Sequence, residues 1–208
     1  AFGGVAQAYA DNVPVLLIPG GSTESRVGVH PGFDAVPNYQ HVTKWAARIE
    51  SVQRIPEMIS RAFTHLKHGR PGPVLLELPS DVGSADVPGD IENYQPVQTH
   101  RSSASTEDVR DIMTALLKAD KPMISAGQGV LYAEATDDLI ELSELVNVPV
   151  MTTLSGKSAF PEDHHLSLGS SGSTCTLMVD RFLQTTDFIL GVGTSYAIST
   201  FAAPMSKE

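Results

Sequence analysis

The residues best suited to ligand chemistry lie in glycine-containing turns in the second half of the chain. Three of these turns read Gly127-Gln128-Gly129, Leu154-Ser155-Gly156-Lys157 and Gly191-Val192-Gly193-Thr194. A fourth, Gly169-Ser170-Ser171-Gly172-Ser173, adds amide and hydroxyl donors. Ligands of open α/β sheets bind where the strands end, and glycine lets a phosphate or ribose approach the backbone closely. Together the turns indicate a nucleotide-binding groove. For any single turn the alternative stays open that glycine serves turn geometry alone.

The stricter phosphate-binding motifs are absent from these turns. A dinucleotide motif needs a third glycine, but Tyr132 and Tyr196 occupy that position. The sequence Gly156-Lys157-Ser158 lacks the earlier glycine of a P-loop, because Met151 stands there. The turns therefore indicate a groove without identifying its ligand.

The sequence identifies neither a catalytic centre nor a metal site. The histidines show no zinc spacing, and the adjacent His164 and His165 are expected to be a solvated pair in a loop. Cys175 has no base evident in the sequence and is expected to pack as a small apolar side chain. Glu77 and Asp81 are expected to contact local backbone or to face solvent.

Composition describes an ordinary globular protein: 41% of the 208 residues are hydrophobic and 18% are charged. The net charge of -10 argues against a nucleic-acid partner, because phosphate binding depends on clustered Lys and Arg. No apolar stretch approaches the roughly 20 residues that a membrane-spanning helix needs. A single cysteine allows no intrachain disulfide, which favours a cytoplasmic location.

The first half of the chain reads as helix, strand, loop, helix and strand. A strand is predicted over Val13–Ile18, and a buried strand over Val74–Leu78 ends at Pro79. Between them a helix follows Pro56, and Gly69 stands at its carboxyl end. Its apolar face is predicted to consist of Ile59, Ala62, Phe63 and Leu66.

The second half repeats the alternation of strand and helix. Ser105 or Thr106 is predicted to cap a helix with acidic residues in its first turn. The apolar face of that helix is predicted to consist of Val109, Ile112, Leu116 and Leu117. Strands are predicted at Lys121–Ala126, Val148–Leu154 and Phe188–Gly193, with a helix at about Ala133–Val146.

The predicted fold class is α/β, with two parallel-sheet, three-layer units. Residues 1–84 form the first unit and residues 105–208 the second. Residues 85–104 are rich in Pro, Gly, Ser and Asp and are predicted to be an interdomain linker.

Several segments, in family order, resemble thiamine-diphosphate-dependent enzymes of the acetolactate synthase type. They are Gly4–Val15, Val42–Ala46, Gly69–Val82, Pro149–His164 and Leu168–Gly172. The resemblance implies that residues 1–84 are the carboxyl-terminal part of the pyrimidine-binding domain. It also implies that residues 105–208 are an incomplete, Rossmann-like central domain.

Members of that family use thiamine diphosphate and a divalent metal, usually Mg²⁺, to decarboxylate a 2-oxo acid such as pyruvate. They then pass the resulting carbanion to an acceptor. The glutamate that contacts the pyrimidine ring and the metal site are expected outside this chain, so the chain alone is expected to be inactive. Active sites of the family lie between subunits, which implies a homodimer or homotetramer.

The resemblance also implies an FAD or ADP surface in the central domain. Its candidate residues are Gly127, Gly129, Leu154, Ser155, Gly156, Gly172, Gly191 and Gly193. Where acetolactate synthases carry Gly-Ala-Arg-Phe-Asp, this chain has Gly193-Thr194-Ser195-Tyr196-Ala197, so FAD, ADP or an empty groove all remain open. The substrate also stays open, because only Phe33-Asp34-Ala35 lies near the place of the family's Phe-Gln-Glu triplet.

Two other functions remain as alternatives. The chain could be a non-catalytic module that binds FAD or ADP, or a structural fragment of an assembly.

Overall fold

The computed structural model describes residues 1–87, 89, 96, 98 and 102–196. The chain divides into two compact units, Ala1–Ser102 and Ser103–Glu208. This division falls inside the stretch predicted to be a linker, most of which lies outside the described residues. The domain limits predicted from the sequence therefore stay a prediction.

The first unit is built around a short parallel sheet. Its strands are β1 (Leu16–Leu17), β2 (Gly20–Gly21), β3 (Trp45–Arg48) and β4 (Val74–Pro79). Leu16 and Trp45 both pair with Val74, so β1 and β3 flank β4. β2 continues the line of β1 in the same register. The strand predicted over residues 13–18 is thus shorter than expected and resumes after Pro19, whose carbonyl accepts from the Leu78 N–H at 2.9 Å.

Helices α1 (Phe2–Ala10), α2 (Ala35–Tyr39), α3 (Ile55–Lys67) and α4 (Ser80–Gly83) complete this unit. α3 contains Pro56 in its first turn, and Gly69 has φ +64° just beyond its carboxyl end, as the sequence predicts. Buried Met58, Ala62 and Leu66 of α3 pack in one cluster with Val74 and Leu76 of β4. The helix, turn and strand therefore form one packed segment.

The second unit contains a wider parallel sheet. Its strands are β5 (Pro122–Ala126), β6 (Val150–Thr152), β7 (Ser167–Ser170) and β8 (Phe188–Val192), in the order β7-β6-β5-β8. Its helices are α5 (Thr106–Lys118), α6 (Gln128–Ala133), α7 (Thr136–Val146) and α8 (Leu177–Leu183). The chain runs outward from β5 to β7 and then returns to the other side of β5. β5 and β8 therefore flank the point where the strand order reverses.

Both faces of this second sheet are covered. Ile124 of β5 packs in a cluster that includes Leu116 of α5 and Leu139 of α7. On the opposite face, Met123 of β5 packs with Val179 of α8. This confirms the predicted α/β fold class with parallel sheets and helices on both sides.

Three predicted elements of the second unit differ in the structure. The helix predicted from Ala133 begins at Thr136, because Glu134 has φ +54° and ends α6. The predicted apolar face of α5 is wrong except for Leu116: the exposed fractions of Val109, Ile112 and Leu117 are 46%, 43% and 67%. The turn predicted at residues 169–173 begins later, because Gly169 and Ser170 are the last residues of β7.

Candidate functional site

Glycines from three separate turns meet at the carboxyl edge of the second sheet. Gly127 follows β5, Gly156 lies in the turn after β6, and Gly193 follows β8. A Cβ added to Gly156 would lie 2.7 Å from the carbonyl carbon of Gly127. A Cβ added to Gly129 would lie 2.7 Å from the Cα of Gly193, which has φ +62°. The structure thus brings these four predicted site residues together at the strand-order reversal.

The backbone amides of three of these glycines take part in the hydrogen bonds of the turns. Gly127 N–H donates to the Val192 carbonyl at 2.8 Å, and Gly129 N–H donates to the Gly193 carbonyl at 2.9 Å. Gly156 N–H lies 3.0 Å from the Thr153 carbonyl and 3.0 Å from its Oγ1. An amide that is already engaged has no second proton to donate to a ligand. These three glycines therefore serve the close packing of the turns.

The exposed part of the same edge consists of other predicted residues. Leu154 is 44% exposed, and Ser155, Gly191 and Gly193 are also exposed. The ring of Tyr196 lies over Gly191, where a Cβ would be 2.6 Å from its Cε2, and burial raises the pKa of Tyr196. A ligand at this edge would therefore meet Leu154, Ser155 and Tyr196 before it met the packed glycines.

Gly172, the remaining predicted residue, is buried and follows the outer strand β7, two strands away from β5. It lies after Ser170, whose hydroxyl is 3.3 Å from that of Thr152.

The carboxyl edge of the first sheet holds an ion pair that the sequence did not predict. Arg48, the last residue of β3, donates from Nη1 to Glu77 Oε1 at 2.7 Å, and the Glu77 side chain is only 4% exposed. Arg48 also donates from Nη2 to the Ser22 carbonyl. The expectation that Glu77 faces solvent or local backbone is therefore wrong. A carboxylate inside an otherwise apolar strand needs a charged or hydrogen-bonding partner when it is buried. The position of Glu77 in that strand was therefore the one sequence signal for this ion pair.

Asp81 accepts backbone hydrogen bonds, as expected from the sequence. The Val82 N–H donates to it at 3.0 Å, and the sequence-distant Glu24 N–H donates at 2.9 Å. The bond from Glu24 is the main reason that the pKa of Asp81 is below its usual range.

Two grooves lie at the opposite, amino edges of the sheets. The groove of the second unit has a volume of about 450 Å³ and is lined by Asp120, Lys121, Pro122, Asn147, Pro149, Arg181, Phe182 and Thr185. The groove of the first unit has a volume of about 350 Å³ and is lined by Tyr9, Ala10, Asn12, Lys44, Arg70 and Pro71. Neither groove includes a predicted site residue.

Lys44, which lines the groove of the first unit, donates from Nζ to the His68 carbonyl at 2.9 Å, and burial lowers its pKa. His65 stacks on Trp45 with ring centroids 5.2 Å apart. Burial lowers the pKa of His65, and the positive charges of Lys44 and Arg61 lower it further.

The remaining candidates for chemistry have structural partners. His164 accepts the Leu166 N–H at Nδ1, which leaves the proton on Nε2 for Glu144 Oε1 at 3.1 Å. Its side chain is only 15% exposed, so the prediction of a solvated histidine pair is wrong for His164. Cys175 packs beside the core cluster of β5, β6 and α8, as predicted.

Neither a metal-binding cluster nor a membrane-spanning helix occurs among the described residues. In that part of the chain no group of three or more His, Cys, Asp or Glu side chains could hold a metal ion. No described helix has the length and apolar character needed to cross a membrane.

Comparison with known families shows that most of the second unit matches one family domain. Residues 109–207 match the family described as thiamine pyrophosphate enzyme, central domain, where thiamine pyrophosphate is a synonym of thiamine diphosphate. The parallel sheet of this unit agrees with that match.

Similar curated proteins narrow the assignment. The chain is 33% identical over 193 residues to a glyoxylate carboligase of Escherichia coli O157:H7, covering 91% of the chain and 32% of that protein. It is 32% identical over 203 residues to a probable acetolactate synthase large subunit of Methanocaldococcus jannaschii, covering 93% and 34%. It is 31% identical over 207 residues to an acetolactate synthase of Arthrospira platensis, covering 93% and 35%. The chain spans about a third of the length of these relatives, and it belongs to the acetolactate synthase-like family of these enzymes.

Proposed function

We propose that this chain is part of a thiamine-diphosphate-dependent enzyme that decarboxylates a 2-oxo acid and transfers the resulting carbanion to an acceptor. One observation carries the proposal: the similarity to a glyoxylate carboligase extends over 91% of the chain and therefore includes residues of both α/β units. Thiamine diphosphate supplies the carbanion chemistry, and the protein binds and orients the reactants. A small-molecule 2-oxo acid is the proposed substrate class.

We propose further that this chain alone is inactive. The described residues do not fit the metal that holds the diphosphate, because they form no cluster of metal-ligating side chains. The relatives are about three times as long, which leaves room for that site elsewhere in the protein. No catalytic step is therefore assigned to residues of this chain.

The test is release of CO₂ from pyruvate and from glyoxylate, with thiamine diphosphate and Mg²⁺ present. We expect release by the longer protein that carries this chain and none by the 208-residue chain. Activity of the isolated chain would contradict the placement of the essential sites. A longer protein that binds no thiamine diphosphate would contradict the function itself.

We propose the carboxyl edge of the second sheet as a surface for FAD or ADP. Its position at the strand-order reversal supports this proposal, since ligands of open α/β sheets bind there. Leu154, Ser155 and the exposed Gly193 would contact the nucleotide, Gly191 would face it beneath the ring of Tyr196, and Gly127, Gly129 and Gly156 let the turns approach one another. Calorimetry with FAD, ADP and coenzyme A tests it. Tight binding by a protein without turnover would instead identify a non-catalytic nucleotide-binding module.

We also propose that the protein is a cytoplasmic homodimer or homotetramer without a nucleic-acid partner. The single cysteine and the net charge of -10 support the location and the absence of nucleic-acid binding. Light scattering tests the assembly, and a monodisperse monomer of the longer protein would contradict it.

A further inference from the structure

We propose that Arg48, Glu77 and Asp81 are positioning residues that hold the segment Ser22–Glu24 against the carboxyl edge of the first sheet. We call this set of contacts the loop clamp. It fixes the start of the polar loop that runs on to Asp34. Its consequence for turnover rests on the proposed function, whereas its effect on the loop does not.

The first half of the loop clamp is the buried ion pair. Glu77 lies on the central strand β4 and is buried, so its charge needs a close partner. Arg48 supplies that partner from the neighbouring strand and uses its other terminal nitrogen to bind the Ser22 carbonyl. The forked guanidinium makes both bonds at once through two different nitrogens. The ion pair therefore joins two strands and the loop in a single contact.

The second half of the loop clamp holds Glu24, two residues after Ser22. Asp81 follows β4, and its carboxylate accepts the Glu24 N–H at 2.9 Å. The positive charge of Arg48 thus holds the carbonyl of Ser22, and the negative charge of Asp81 holds the amide of Glu24. Two such contacts fix both the position and the direction of the chain where it leaves β2. The far end of the loop is held separately, since the ring of Phe33 packs edge-on against Tyr39 of α2, with centroids 6.4 Å apart.

Gly21 is the residue that makes room for the ion pair. A Cβ at Gly21 would lie 2.7 Å from the Cδ and 2.7 Å from the Cγ of Glu77. Since Glu77 is buried and bonded to Arg48, it has little freedom to move aside. The adjacent Gly20 has nothing within 4 Å of its Cβ position. The chain therefore offers a matched pair of substitutions, one residue apart on the same short strand.

The location gives the loop clamp its functional meaning. The loop starts at the edge of a parallel sheet where ligands bind, and residues 24–33 are exposed. A loop that contacts a substrate must be held in one geometry, because small displacements of reacting groups reduce rates strongly. We infer that the loop clamp places this loop for the 2-oxo acid substrate.

Hydrogen exchange of the Glu24 amide, measured by NMR, tests the loop clamp directly. We expect Gly21→Ala and Arg48→Met to accelerate exchange by about tenfold or more, because each removes charge-assisted bonds. R48K should give a smaller acceleration, and Gly20→Ala should leave exchange unchanged. Wild-type exchange in Gly21→Ala, or equal acceleration in Gly20→Ala, would overturn the proposal.

A variant at an exposed position guards against loss of folding. If Gly21→Ala or Arg48→Met fails to fold, Asp81→Ala decides, because Asp81 is exposed and its removal deletes the acceptor of the Glu24 amide together with one local bond from the Val82 N–H. We expect accelerated exchange there too, and wild-type exchange would count against the loop clamp.

Turnover by the longer protein supplies the second readout. We expect Asp81→Ala to raise KM for the 2-oxo acid by about tenfold while the folded fraction stays unchanged. The matched control breaks the exposed Arg61–Glu57 pair by Arg61→Ala and should leave KM unchanged. Unchanged KM and kcat in the Asp81→Ala variant would contradict the positioning role. If the wild-type protein shows no turnover, the proposed function fails, and the exchange experiment still decides the loop clamp.

Discussion

At the scale of single residues, the carboxyl edge of each sheet depends on close packing between residues that are far apart in the sequence. An added Cβ would lie 2.7 Å from Cδ of Glu77 at Gly21 and 2.7 Å from the carbonyl carbon of Gly127 at Gly156, so only glycine fits at these two positions. Gly156 was recognisable from the sequence because its turn follows an apolar run. Its partner was not, because a turn's own residues do not reveal which other turn it will touch.

Gly156→Ala tests the backbone packing of the second edge. The added methyl group would overlap the backbone of Gly127, which cannot rotate away, so we expect a loss of about 1–3 kcal/mol in the free energy of unfolding. Urea denaturation measures the change. The control is Gly3→Ala in α1, where the methyl group meets nothing within 4 Å. That helical substitution should stabilise by about 0.5–1 kcal/mol. An unchanged Gly156→Ala variant would show that the turns are not in contact.

The stacked pair of His65 and Trp45 predicts a pH-dependent signal. The folded protein favours neutral His65, because burial and nearby positive charges lower its pKa. The resulting stability is present above the unfolded pKa of about 6.5 and is lost as the pH falls through the lower folded value. Trp45 is the only tryptophan, so its fluorescence reports on this site alone. We expect a fluorescence transition with a midpoint below about pH 6.5 that disappears in His65→Gln. A transition unaffected by that substitution would show that another group is responsible.

At the scale of elements, the best predictions came from segments that carry both a strong apolar pattern and clear end signals. α3 has Pro56 at its start and Gly69 after its end, and β4 is an apolar run, interrupted only by Glu77 and closed by Pro79. β3 and β7 lack both kinds of signal. Trp45–Arg48 is half-buried throughout, and in Ser167–Ser170 only Leu168 is buried. These short strands form because a neighbouring strand offers backbone partners, which the local sequence does not encode.

The face of α5 shows a second limit of pattern reading. Helical spacing groups Val109, Ile112 and Leu116, yet only Leu116 is buried, while Met113 packs against the core. Periodicity identifies an apolar stripe, but it does not show where the neighbouring sheet crosses that stripe.

The amino end of α5 gives a direct test at this scale. Ser105 Oγ accepts the Asp108 N–H at 3.0 Å, which satisfies one of the unpaired amides of the first turn. We expect Ser105→Ala to cost about 1 kcal/mol in the free energy of unfolding, measured in urea. Ser103→Ala, two residues before the cap and outside the helix, should change stability by less than about 0.5 kcal/mol. Equal changes in the free energy of unfolding for the two substitutions would contradict the capping role of Ser105.

At the scale of the whole molecule, the fold class and family were accessible from the sequence because the matching segments occur in family order. The two units and their parallel sheets agree with that assignment. The chemistry was less accessible, because an α/β fold by itself does not determine function. The described residues contribute a packed edge and the loop clamp, and the reactive coenzyme is proposed to be held elsewhere.

The most direct test of the central claim is CO₂ release from pyruvate and glyoxylate, measured side by side for the 208-residue chain and for the longer protein that carries it. Both samples contain thiamine diphosphate and Mg²⁺. The proposed function predicts release by the longer protein, dependent on thiamine diphosphate, and none by the chain alone. Release by the isolated chain, or no release by the longer protein with either acid, would contradict it.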